Sequence, residues 1–497
     1  ITGNTFDNNA YSLFLPASTG GTVTFGAGNN FISGAATQQH IVRTAAGGMD
    51  LTNVRFDGAL GSEMDMATLF ATEDLITHGV DVAGAGLARV VDGQLYVTTA
   101  SGTDSALRAV ALAASGDTLN LSAGTHTLTN TLFLGTSINV VGQGAGATIL
   151  DASGHSAYGI RVHGDNVSLS DFTLNGSAAV SNATYGIKVE VGSGDANGLN
   201  DNFSIRNVAI SGSRKTGLDL NTTVGAVIDG VTVTGVTNGN GIAITDSADV
   251  IVRNSTTSGN AWGGLALYQS NNVSGGGSTR QLTNVTVEAN NAFGEANGVY
   301  LQDSSTLQSA GTLNILGHDF VVRNAGHRAD GSEFTFFQTS LPAANLGAAD
   351  TSIVRGWDTS AIDTNVYVGF GNLAGGGTLG LSLQTAFDLS SAGDTINVAS
   401  GDYGQSATLG GVRDLDLGDV TLESLTLTAG AAGSTLGGNL TASGSGLTFS
   451  DGLILSRDTV LSGGDITLGS VSGAHALTVD GDIIAIGAAD LASLTAT

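Results

Sequence analysis

Cysteine is absent from the 497 residues, and proline, tryptophan and lysine occur twice each. Without cysteine the chain has neither disulfides nor thiolate metal sites, which suits an exported protein that must stay unlinked on its way out. Bases are scarce as well: 16 Lys and Arg stand against 43 Asp and Glu, a net charge of −27. That balance disfavours nucleic acid and anionic membrane as partners, because both need concentrated cations, and no nucleic-acid partner is expected. No apolar run reaches the roughly 18 residues of a membrane-spanning helix. No basic-then-apolar leader opens the chain, and residue 1 is Ile, so a longer natural polypeptide is expected.

Glycine is in excess, at 75 residues. It follows no Gly-X-Y period, so collagen is excluded, and a hydrophobic fraction of 41% is too high for general disorder. Glycine among short Val, Ile, Leu and Thr runs is the pattern of many strands joined by tight turns. One phrase, Gly-apolar-X-apolar, recurs at residues 159–162, 186–189, 217–220, 241–244, 264–267 and 298–301. Its period-two alternation turns one face to a core and the other outward. Irregular spacing with constant spelling fits a coil whose loops vary in length. A second phrase carries Asn at a fixed point, at Asn166, Asn207, Asn254, Asn284 and Asn324. Asn belongs at a bend that needs left-handed dihedrals, and stacked copies can form a hydrogen-bonded ladder. A third phrase, Asn-Ala-aromatic at residues 9–11, 260–262 and 291–293, reads as an internal aromatic stack. Together these describe an all-β fold, a right-handed parallel β-helix with coils ~4.8 Å apart.

The solenoid is modular. The passage from Ser105 to Gly124 returns 277 residues later, from Ser382 to Gly401. Ile76, Gly79 and Asp81 are answered by Ile353, Gly356 and Asp358 at the same offset. In the first copy Leu107, Val110, Ala111 and Ala114 fall on one helical face, which is expected to cover the open bottom of a coil stack. Residues 1–60 are therefore expected to be the last coils of a first β-helix, and 61–98 a junction. A second β-helix is expected over 99–340 with a helical cap at 105–114, then a junction at 341–372. A third is expected over 373–497 with a cap at 382–391 and shorter tail repeats.

The cap followed by Gly-Asp-Thr-Leu-Asn-Leu at Gly116, and by Gly-Asp-Thr-Ile-Asn-Val at Gly393, resembles the opening of β-helix domains in very large bacterial repeat proteins. The tail from Asp414 to Asp482 resembles the repeats of filamentous-haemagglutinin-like adhesins and autotransporter passengers. This resemblance implies a bacterial surface or secreted rod.

The outward residues of the Gly-apolar-X-apolar phrase run Arg161, Lys188, Asp219, Ala243, Ala266 and Tyr300. His163, Glu190 and Tyr268 stand two places further on in their phrases. A base beside an acid beside aromatics can grip an acidic sugar and abstract its C5 proton. Opposite charges on adjacent strands are also an ordinary surface ladder worth ~1 kcal/mol or less. The clustered Asp pair with Gly-His-Gly of galacturonan hydrolases is missing. So are the acidic calcium cluster of a pectate-lyase-like mechanism and the Gly-Gly-X-Gly-X-Asp repeat. The expectation is therefore no catalytic set, with Arg161, Lys188 and Asp219 the candidates should one exist. Carbohydrate or partner contacts are assigned to His163, Glu190, Tyr268 and Tyr300. No metal ligands and no cofactor are expected, structural calcium being left open for want of a motif.

The leading expectation is a non-enzymatic extracellular rod for adhesion or matrix assembly. Its partners would be glycans or a neighbouring cell surface, with lateral self-association along the low-charge flank of Ala243, Ala266 and Tyr268. The alternatives are a polysaccharide lyase or epimerase acting on acidic glycans, and a self-assembling fibre or surface-layer subunit.

Overall fold

Strand registers trace the coils in the computed structural model. It describes all residues except 18–20, 156–157, 177–184, 193–197, 270–281, 296–297, 303–310, 312, 317, 319, 324–364, 369, 373–377, 381–382, 385–394, 399, 411–413 and 429–433. Nearly every pairing is parallel, and the chain is a parallel β-helix. It divides into two compact units, one dominated by residues 1–262 and the other by 263–497.

In the first unit, strands between Thr5 and Arg89 form three small sheets. Phe6, Phe31 and Phe56 stand in register on successive coils. Their rings stack at 4.5 and 5.6 Å between centroids. This is the internal aromatic stack, and the Asn-Ala-aromatic phrase is not. Tyr11 is 58% exposed. In the second and third copies it is the asparagine that turns inward: buried Asn260 accepts from Val236 N–H and donates to Val233 O. Asn291 does the same between Ser255 N–H and Val252 O. A polar side chain can be held inside a solenoid because it replaces backbone partners lost at a corner.

Helix α1 (Met66–Glu73) starts at Asp65, whose carboxylate accepts from Thr68 N–H. It leads into a buried clamp in which His78 Nε2 and Glu73 Oε1 lie 2.5 Å apart. Ala88 N–H donates to His78 Nδ1, which leaves the ring proton on Nε2, facing Glu73. Helix α2 (Ser105–Leu112) occupies the place expected for a cap and packs against the strands that follow it. Its buried residues are Ser105, Ala106 and Ala109, not the Leu107, Val110, Ala111 and Ala114 stripe. Close approach of a helix to a strand edge selects small side chains, and periodicity of larger ones does not report it. The second expected cap at 382–391 lies outside the described residues, apart from Leu383 and Gln384. Most of the 341–372 junction lies outside them too.

One sheet aligns strands Leu132–Leu134, Ile160–Val162, Ile187–Val189, Leu218–Asn221 and Asn240–Thr245. Leu132, Leu134, Ile160, Val162, Ile187, Val189, Leu218 and Leu220 are fully buried. The residue between each buried pair faces away from the core. The glycine that opens the phrase is more than a turn residue. A Cβ on Gly186 would stand 2.5 Å from Gly217 O and 2.7 Å from Ile210 Cγ2. On Gly217 it would collide with the Val233 side chain. These positions have ordinary φ; the next coil simply leaves no room. By contrast Asn166, Asn207, Asn254 and Asn284 hold φ of 50 to 53°. Asn202 donates to Asn166 Oδ1 at 3.0 Å and Asn207 to Asp171 at 2.7 Å, ladder rungs between coils.

In the second unit, strands Gly263–Tyr268, Val299–Gln302 and Phe320–Arg323 pair in parallel. Further on, Ser406 pairs with Ser424, Leu425 with Leu447, and Leu447 with Ile466, so the coils of the tail are short.

Candidate functional site

Phe133, Arg161, Lys188, Asp219 and Ala243 align across neighbouring strands of the first unit, one per coil. Period-two geometry also puts His163 and Glu190 on the outward face, two residues along. The result is a patch of charge. Lys188 Nζ lies 2.5 Å from Asp219 Oδ2 and 4.0 Å from Glu190 Oε2. Arg161 holds Glu190 Oε1 at 2.6 Å, and His163 Nε2 is 3.5 Å from the same oxygen.

Aromatic rings frame the charges. Tyr158 and Tyr185 are 5.5 Å apart, each three residues before a cation of the column. The Arg161 guanidinium stands 5.2 Å from the Tyr158 ring centre. The chain's two lysines both lie over Tyr185, Lys188 at 4.5 Å and Lys215 at 5.7 Å. Cation–π attraction of this kind strengthens as water is excluded. One coil beyond Glu190, the buried Nδ2 of Asn221 has no hydrogen-bond partner, an unused donor beside the patch.

Accessibility falls steadily along the column. Side-chain exposure is 36% at Arg161, 12% at Lys188 and 9% at Asp219. Desolvation sets the protonation states. Burial opposes the Lys188 ammonium, but Asp219, Tyr185 and Glu190 outweigh it and hold its pKa above the ordinary value. Burial, then the charge of Asp219, pushes the Tyr185 phenol up to about 12. Burial and the Arg161 charge hold His163 below the ordinary histidine value, against the pull of Glu190. At neutral pH the patch thus offers a neutral imidazole, a protonated phenol and two cations.

Arg161, His163, Lys188, Glu190 and Asp219 come together. Tyr268 and Tyr300 belong to the second unit, where their hydroxyls lie 2.5 Å apart and Tyr300 is fully buried. Tyr300 therefore has no face for a sugar. Ala243 and Ala266 are buried as well, which removes the expected lateral-association flank. Phe133, Tyr158, Tyr185 and Lys215 were not picked out from sequence. The phrase Tyr-Gly-Ile-cation-Val, written at both 158–162 and 185–189, was the available signal for the tyrosines.

A separate cleft of about 740 Å³ lies between the Ala46–Asp50 and Gly79–Leu87 loops and α2. Its two arginines are already engaged, Arg89 by Asp117 and Arg108 by three backbone carbonyls. Among the described residues no group of three or more His, Asp or Glu side chains is placed to hold a metal ion, and no helix is long and apolar enough to cross a membrane.

A family model described as a right-handed β-helix region matches residues 196–316. No curated protein is similar in sequence. Among solved structures, the Agl-KA catalytic domain is 13% identical with a TM-score of 0.32; the match covers 79% of this chain and 64% of that one. The A-module of the Azotobacter vinelandii mannuronan C-5 epimerase AlgE4 is 13% identical with a TM-score of 0.31, covering 79% and 94%. The catalytic unit of an α-1,3-glucanase from Streptomyces thermodiastaticus is 15% identical with a TM-score of 0.31, covering 79% and 64%. At such scores the likeness extends to fold alone.

The expectation of a non-enzymatic adhesive rod is overturned. Its physical premise fails: a solvated surface ladder should be exposed, whereas the side chains of Lys188 and Asp219 are only 12% and 9% exposed.

Proposed function

We propose that the chain is a carbohydrate-active β-helix enzyme that removes the proton beside the carboxylate of an acidic sugar, as a lyase or an epimerase. The observation that carries this reading is the partly buried, aromatic-framed cluster of Lys188, Asp219, Arg161, Glu190 and His163 on one face of the coil. Arg161 and Lys188 offset the carboxylate charge, which makes the neighbouring C–H acidic. Neutral His163 accepts the C5 proton, and Glu190 orients it together with Arg161. Tyr185, kept protonated, is the acid. In elimination its proton goes to the glycosidic oxygen as the C4–O bond breaks and a C4–C5 double bond forms. In epimerisation Tyr185 gives its proton to C5 on the face opposite His163, and exchange with water then restores neutral His163 and protonated Tyr185. Asp219 positions Lys188. An acidic glycan substrate places the work outside the cell, consistent with the lack of cysteine.

Incubation with alginate, polygalacturonate and glycosaminoglycans, read by ultraviolet absorbance of unsaturated uronates and by NMR for inverted sugars, tests this. Turnover that Lys188→Ala abolishes with the fold intact is expected. No turnover on any acidic glycan, or full activity in Lys188→Ala, overturns it.

A further inference from the structure

We infer that Phe133 is the sugar-stacking platform of a subsite next to the reacting residue; this rests on the function proposed above. The ring is 47% exposed, an unusual state for a phenylalanine on an otherwise packed sheet. Its place is fixed from two sides. A Cβ on Gly135 would stand 2.8 Å from Phe133 Cε1, so the ring lies across a gap that only glycine leaves open. Against His163 it makes an edge-to-face contact, with centroids 4.9 Å apart and planes at 80°. Phe133 also pairs in register with Arg161, which puts it one coil from the first cation of the column.

Coil spacing of ~4.8 Å is close to the length of one 1,4-linked pyranose. A glycan lying along the column would meet Phe133 with one sugar and the Arg161–His163 coil with the next. The apolar C–H face of a pyranose is complementary to an exposed aromatic face, and the ring is already ordered, so little entropy is lost on binding. Phe133 is thus a binding and positioning residue, and the substrate must extend at least one sugar beyond the one that reacts.

Steady-state kinetics and retardation in gels containing polygalacturonate or alginate, on the full chain, test this. Phe133→Ala is expected to raise KM about tenfold and to weaken retardation in proportion, with kcat within about twofold. The pH profile should stay in place, and Phe133→Trp should restore both readouts. Unchanged KM and retardation in Phe133→Ala, with Lys188→Ala still inactive, overturn the platform and leave the proposed function standing. A fall in kcat with a shifted pH profile also overturns it, since Phe133 would then only prop His163. Absence of both binding and turnover in the unaltered chain overturns the two together.

Discussion

Lys188 and Asp219 form a pair whose value depends on each other's presence. Removing one charge from a buried pair strands the other, at a cost of about 3 kcal/mol. Asp219→Ala should therefore lower unfolding free energy by about that amount in urea titrations, while Lys188→Met with Asp219→Leu should recover most of it and stay inactive. His163 gives a second handle. Its pKa is held down by burial and Arg161, so the acid limb of the pH–rate profile should fall below the ordinary histidine value. Glu190 is the group pulling that pKa up. Glu190→Gln should accordingly move the limb to still lower pH, and a limb moving upward would contradict the assignment of His163 as base.

Among the elements, the strand phrase is held by two unlike glycine and asparagine requirements. Gly186 is needed because the next coil fills the space where a side chain would go. Gly186→Ala should cost about 1–3 kcal/mol by overpacking and should disturb Lys188, two residues away. Asn207 is needed for its backbone conformation, at φ of 50°, and for its bond to Asp171. Asn207→Ala should cost about 1 kcal/mol, and Asn207→Gly less, because glycine accepts the left-handed region. Thermal melts of these three variants separate steric from conformational roles.

At the scale of the whole molecule, a chain of net charge −27 is proposed to bind a polyanion. Long-range repulsion is screened by salt, whereas contacts inside the patch are partly shielded from it. Turnover of polyuronates should therefore rise from very low ionic strength to about 0.15 M, the reverse of a protein that binds through a broad cationic surface. Acid should also destabilise the fold. Burial holds His40 and His126 below the unfolded value, so the unfolded chain binds protons first. Their contribution is present above the unfolded pKa and is lost as pH falls through the folded one. Asp229 is lowered by its bonds to Asn254 and Arg253, and its contribution disappears at lower pH still. Urea midpoints measured from pH 8 down to 2 should fall in that order.

The sequence alone determined the architecture, because a β-helix is written locally. Alternation at 159–162 and its five copies specifies which residues enter the core, and Asn207 or Asn254 marks a bend through its own dihedral preference. It also placed Arg161, Lys188 and Asp219 in one outward column, since a constant strand phrase fixes register. What it could not decide was burial of that column, which depends on side chains from other parts of the chain. Lys188 and Asp219 read as a solvated ladder until Tyr185 was seen beneath two lysines. Ala243, Ala266 and Tyr300 read as surface for the same reason. The core face of α2 and the Phe6–Phe31–Phe56 stack were likewise set by which neighbours came close, and only the tertiary structure brings those neighbours together.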